Sequence, residues 1–181
     1  MVAGGVAQGV LIDPTNAGGV RASLDPGPLT YGALYETFPF DNRFATVRIR
    51  AGDFRDVLAD NLGSTAGTLI LSGLTLRATC HGDALRVQLR DARNRPVRDN
   101  RMLTVLTSDD LATTSAFESW PEGAVTVEEG RPMRDESADL LAQRTGERRP
   151  ESSFDPAHPR FALPSRRPVS CGEAREPSAD R

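Results

Sequence analysis

A chain of 181 residues with a net charge of −3 fits one domain, and without an overall basic field it argues against nucleic acid as a partner. No stretch approaches the ~20 apolar residues of a membrane-crossing helix, and Met1 to Ile12 lacks the basic start and long apolar run of an export signal. There is no lysine, so all 22 basic residues are arginine; the presence of an arginine says little until its position does.

Val10-Leu11-Ile12, closed by Asp13-Pro14, reads as a buried strand running into a loop rich in Gly, Asn, Asp and Pro from Thr15 to Pro28. Thr30 is placed to cap a short helix through Thr37, and Pro39 stops it. Phe44 to Arg50 alternates, with Ala45, Val47 and Ile49 on one side, and predicts a half-buried strand. Asp53 to Leu62 is the clearest helix: Asp53 reads as its N-cap, Gly63 as its left-handed C-terminal residue, and Phe54, Val57, Leu58 and Leu62 as its apolar stripe.

Strands are predicted over Thr68 to Ser72, Leu74 to Thr79, Leu85 to Leu89 and Leu103 to Thr107, with a turn at His81-Gly82-Asp83 and a charged turn region from Asp91 to Asn100. Asp135 to Arg144 predicts an amphipathic helix with Ala138, Leu141 and Ala142 on one side. Phe161-Ala162-Leu163 reads as a last strand. Beyond Pro164 the composition predicts disorder, so the domain is expected over residues 1–164 and a dispensable tail over 165–181. Strands and helices mix without regular alternation, which favours an α+β fold of mixed sheets packed with helices. Cys80 and Cys171 read as two unpaired thiols, neither with zinc-ligand spacing.

A two-metal hydrolase needs several His and Asp ligands converging on one point. His81 and His158, the only histidines, have no neighbour at ligand spacing, so no metal site is expected. No Gly-x-Ser-x-Gly elbow occurs, and no Lys-Ser or Lys-Thr follows the early glycines Gly4, Gly5 and Gly9. Three features remain. Asn16-Ala17-Gly18-Gly19-Val20-Arg21 follows a strand, where paired glycines let backbone N–H groups approach a ligand or simply turn the chain. Phe38-Pro39-Phe40-Asp41-Asn42 places two aromatics about a rigid proline, either as core residues or with one ring held out as a stacking platform. Ala112 to Trp120 is a small-residue loop ending in aromatics.

In this order and at these separations, the features resemble the C-terminal domain of the 5′-nucleotidase and UDP-sugar hydrolase family. The family pattern of Asn-x-Gly-Gly-(Ile/Val)-Arg, then Gly-x-(Ile/Leu)-Thr-Tyr-Gly-x-Leu, then Pro-Phe-x-Asn reads here as Asn16 to Arg21, Gly27 to Leu34 and Pro39 to Asn42. Weaker similarity continues through Leu69 to Leu74 and Leu103 to Ala112, so that the likeness spans roughly Val10 to Leu163. The resemblance implies a nucleoside or nucleotide ligand whose base lies between two aromatic rings, Phe40 and Phe117. Asn16 and Arg21 would hold the rest of it beside Gly18 and Gly19.

It implies no catalytic residue, metal or cofactor in this chain. The family's divalent metals sit in a separate N-terminal metallophosphatase domain, which would be the partner. The upstream helix that carries further family arginines has no counterpart, so the N-terminal helix of the domain is expected to be missing. The second loop reads Thr114-Ser115-Ala116-Phe117, without the family's glycines and Asp. The family carboxylate for the ribose hydroxyls falls near Gly123, with only Glu118 and Glu122 close by. A recognition module, a fragment of a full-length metal-dependent hydrolase and a ligand-free remnant are the readings left open. The family is typically periplasmic or extracellular.

Overall fold

A computed structural model describes residues 9–13 (as backbone), 19–65, 69–113, 123–144, 146 and 157–172. In chain order the elements are β1 (Gly9–Asp13), α1 (Tyr31–Thr37), β2 (Phe44–Arg50), α2 (Ala51–Gly63), β3 (Ile70–Ser72), β4 (Leu74–His81), β5 (Ala84–Asp91), β6 (Met102–Ser108), α3 (Asp109–Thr113), β7 (Val125–Val127), α4 (Met133–Ala142) and β8 (Phe161–Ala162). One sheet runs β3-β1-β6-β2-β7 and a second β5-β4-β8. Both are mixed: β1 lies parallel to β6 and β4 parallel to β8, whereas every other pair is antiparallel. The α+β architecture read from the irregular order of elements is the one the chain adopts.

The alternation of β2 buries Ala45, Val47 and Ile49 completely. These side chains share one apolar cluster with Phe54, Val57, Leu58 and Leu62 of α2, Leu103 and Val105 of β6, and Leu76, Ala78, Val87 and Leu89 of the second sheet. The α2 stripe thus joins the apolar faces of both sheets. The predicted hairpin forms with Gly82 at φ +58, a conformation that glycine adopts without a Cβ penalty, and with His81 opposite Ala84.

The ends of α2 differ from the sequence reading. The helix begins at Ala51, directly after β2, and Asp53 lies in its first turn without capping it. The first orphan N–H groups are taken up by a distant turn: Ala51 N donates to Arg101 O (2.8 Å) and Gly52 N to Asp99 O (3.0 Å). Gly52 permits this approach, since a Cβ there would stand 3.3 Å from Asp99 Cβ. Arg55 then binds the Asp99 carboxylate through both terminal nitrogens, at 2.7 and 3.1 Å. At the other end Gly63 stays helical and Ser64 is extended. No left-handed residue is needed there, because a segment far along the chain supplies donors: Val169 N reaches Leu62 O at 2.9 Å, and Arg167 donates to Asn61 O.

That segment corrects two expectations. The residues after Pro164 are ordered through Gly172; Val169 is only 5% exposed within the core, and residues 173–181 lie outside those described. Cys80 and Cys171 are not free thiols but a disulfide, with 5.5 Å between their Cα atoms. A separation of 91 positions hid the pairing. It becomes possible because β8, the last strand expected at Phe161-Ala162-Leu163, docks beside β4 and carries the following strap to the end of β4. Other differences are smaller. β7 is too short to carry a readable period, and α3 forms where Ser108 Oγ accepts from Leu111 N (3.1 Å). α4 starts two residues earlier than expected and buries Arg134 in place of an apolar stripe.

The charged turn after β5 is closed by Asp91, whose carboxylate accepts from Arg93 N, Arg95 N and the Arg95 guanidinium at 2.8–3.0 Å. The Arg95 side-chain hydrogen bond leads in lowering its pKa from an ordinary 3.8 to about 2. A folded value below the unfolded one means the turn's contribution is complete above about pH 4 and is lost as pH falls through about 2. A carbon-13 titration should therefore place the Asp91 midpoint near pH 2, and a midpoint near 4 would contradict the turn geometry.

Candidate functional site

Thr30 caps α1 as expected, its hydroxyl accepting from Ala33 N at 3.1 Å. The helix buries Leu34 and Thr37 and leaves Tyr31 and Tyr35 about half exposed. Thr37 Oγ1 donates to Ala33 O (2.9 Å) and Thr37 O accepts from Arg21 N (2.9 Å), which ties the Gly-Gly-Val-Arg loop to the end of the helix. Between them lies an open groove of roughly 620 Å³, lined by Val20 to Leu24 with Thr37 and Phe38. Gly19 is partly buried and Arg21 exposed at its edge. Asn16 and Gly18 lie outside the described residues, as do Phe117 and the loop that carries it.

Of the two aromatics about Pro39, Phe38 is half-buried against the groove, while Phe40 projects with 45% of its surface exposed. The turn that carries them is pinned from three sides. Arg43 N donates to Asp109 Oδ1 (3.0 Å) and Asp109 N to Arg43 O (2.9 Å); Met133 N donates to Asn42 O (2.7 Å). Arg134 then reaches in from α4. Its Nη1 donates to both Phe38 O and Phe40 O at 3.1 Å, its Nη2 to Asp41 Oδ1 at 2.7 Å, and its Nε to Tyr31 OH at 3.2 Å. The guanidinium lies 4.4 Å from the centre of the Tyr35 ring, and Tyr31 OH donates onward to Asp135 Oδ1 at 2.5 Å. The Asp41 hydrogen bond is the largest influence raising the Arg134 pKa above the ordinary arginine value; burial opposes it.

A guanidinium whose side chain is 5% exposed is costly unless its donors are met. Here a phenol, two carbonyls and a carboxylate meet them, and an aromatic face covers the plane, an arrangement lysine cannot reproduce. Arg134 escaped the sequence reading because every cation in the chain is an arginine. Only the structure places it in the first turn of α4, where a cation opposes the helix dipole and is held by partners outside the helix. Tyr31 and Asp41 lie inside the motif segments, yet nothing in their spacing predicted that one side chain from residue 134 would join them.

Among the described residues, no group of three or more His, Cys, Asp or Glu is arranged to hold a metal ion, and no helix is long and apolar enough to cross a membrane.

Comparison with known proteins covers this part of the chain. A family model described as the 5′-nucleotidase C-terminal domain matches residues 5–117. Endonuclease YhcR of Bacillus subtilis (strain 168) is 26% identical over 110 residues, covering 60% of this chain and 9% of its own. A "Probable 5'-nucleotidase" of Treponema pallidum (strain Nichols) is 33% identical over 52 residues, covering 29% of this chain and 9% of its own. The crystal structure of a 5′-nucleotidase precursor from Thermus thermophilus superposes with a TM-score of 0.65 at 21% identity, over 86% of this chain and 31% of that one. The chain therefore spans about a tenth of the curated relatives and under a third of the solved one. Because the family match runs from before β1 through the Gly-Gly loop and the Phe40 turn to beyond α3, over more than half of the sequence, the chain belongs to the family of 5′-nucleotidase C-terminal domains.

Proposed function

We propose that this chain is the substrate-recognition domain of a 5′-nucleotidase-type phosphoesterase and takes a nucleoside or nucleotide whose base stacks on Phe40. The observation that carries this reading is an aromatic ring exposed on a turn that Pro39 and three sets of hydrogen bonds hold still. A rigid, exposed ring is what base stacking requires, since little order remains to be gained on binding. Asn16 and Arg21 supply polar contacts, Gly18 and Gly19 backbone N–H groups, and Phe117 the second ring. Hydrolysis belongs to a metallophosphatase domain that works with this one. The Cys80–Cys171 bond supports an oxidising compartment as the place of work.

Adenosine and AMP titrations followed by NMR test the reading. We expect weak binding, on the order of millimolar, because the second loop lacks the family's glycines and Asp. Shifts should cluster around Gly19 to Arg21 and Phe40, and Phe40→Ala should cost ~1–3 kcal/mol, roughly ten- to a hundredfold in affinity. A folded wild type that shows no shifts at tens of millimolar ligand would sink the proposal and favour a remnant without a ligand.

The shares of length carry a second reading. A chain that matches about a tenth of its curated relatives is suited to serve inside a larger metal-dependent hydrolase, whose activity and substrates would then be set jointly with other regions.

A further inference from the structure

We infer that Arg134 is the positioning residue of the Phe40 platform, and that the planar fork of its side chain holds the backbone from which the stacking ring projects. The inference deepens the nucleoside-binding reading and rests on it for the meaning of the ring, but not for the geometry. Phe40 has no ring partner among the described residues: the aromatic contact seen there is between Tyr31 and Tyr35. Its placement therefore comes from its backbone. Pro39 fixes one backbone angle, and the carbonyls on either side of that residue, Phe38 O and Phe40 O, both accept from Arg134 Nη1. The next residue, Asp41, is held by Nη2.

One rigid plane thus contacts residues 38, 40 and 41 at once, leaving the ring its own side-chain torsions. The plane is fixed in turn by the Tyr35 face beneath it and by Tyr31 OH at Nε. Both tyrosines stand on α1, whose end receives the Arg21 backbone N–H. The groove loop and the aromatic turn are accordingly registered to each other through α1 and Arg134. Residue 134 lies beyond the stretch that the family model matches, so this chain completes its platform from outside the matched segment.

A purely structural role predicts a general loss of stability when Arg134 is changed, whereas a positioning role predicts a local one. Arg134→Lys keeps the charge and loses the fork. We expect its core resonances in β2, β6 and α2 to stay in place, while nitrogen-15 relaxation shows the amides of residues 38, 40, 41 and 42 becoming mobile, with order parameters falling toward ~0.6. Adenosine affinity should fall about tenfold, and adding Phe40→Ala to this variant should cost less than it costs the wild type, since the two act through one contact.

Should Arg134→Lys fail to fold, Tyr35→Leu provides the same readout by removing the ring beneath the guanidinium from a half-exposed helix position. A turn that remains rigid in a folded variant would overturn the inference, as would full additivity with Phe40→Ala. The relaxation measurement needs no ligand. A wild type that binds no nucleoside therefore defeats the functional reading, whereas a rigid turn in the variant defeats the role of Arg134.

Discussion

Breaking the Cys80–Cys171 bond is expected to lower the melting temperature by on the order of 10 °C. The bridge closes a loop of about 91 residues, and a cross-link of that span stabilises by ~2–5 kcal/mol through the entropy it removes from the unfolded chain. For a chain of this size each kcal/mol moves the midpoint by roughly 2–4 °C. The strap that ends in Cys171 also caps α2 through Val169 and Arg167, so its release weakens the helix end as well as the cross-link. The comparison is a thermal melt with and without reductant, alongside the Cys80→Ser, Cys171→Ser double variant. Equal midpoints in all three would show that the strap does not hold the domain together. Truncation after Pro164 should be at least as damaging, because it removes the buried Val169 along with the bridge.

Phe54→Ala should cost about 3–5 kcal/mol and shift the midpoint by roughly 6–20 °C. Phe54 is fully buried on α2 in the cluster that joins both sheets, and truncating it leaves a cavity that neither sheet can close without moving the other. The same substitution at Phe40 should change stability by no more than ~0.5 kcal/mol, because that ring is half in water. Chemical denaturation of the two variants provides the check. A Phe40→Ala variant as unstable as Phe54→Ala would mean that Phe40 is a packing residue and not a platform.

Local pattern made several elements legible. The two-residue period of β2 placed Ala45, Val47 and Ile49 inward, the helical spacing of α2 identified its buried stripe, and Thr30 announced α1 by capping it. Each depends on residues within one or two turns, so the chain order contains all the information. The motif segments point to the Gly-Gly loop and the Phe40 turn, while Asn16, Gly18 and Phe117 lie outside the described residues.

The ends of α2 were misread for the opposite reason. Asp53 and Gly63 have the right local chemistry for caps, but orphan groups are satisfied by any donor or acceptor that reaches them. Arg101 O, Asp99 O and Val169 N arrive from 50, 47 and 107 positions away, counted along the chain from the groups they meet.

The sequence by itself determined the family, the α+β class, and the main strands and helices. Tertiary structure alone decided the disulfide, the order of the strap through Gly172 and the Arg134 clamp. These are contacts between residues some 90 or more positions apart, in a chain where cysteine composition and arginine content gave no positional signal. Periodicity reports which way a side chain faces, but a partner that distant is chosen by how the sheets and helices pack.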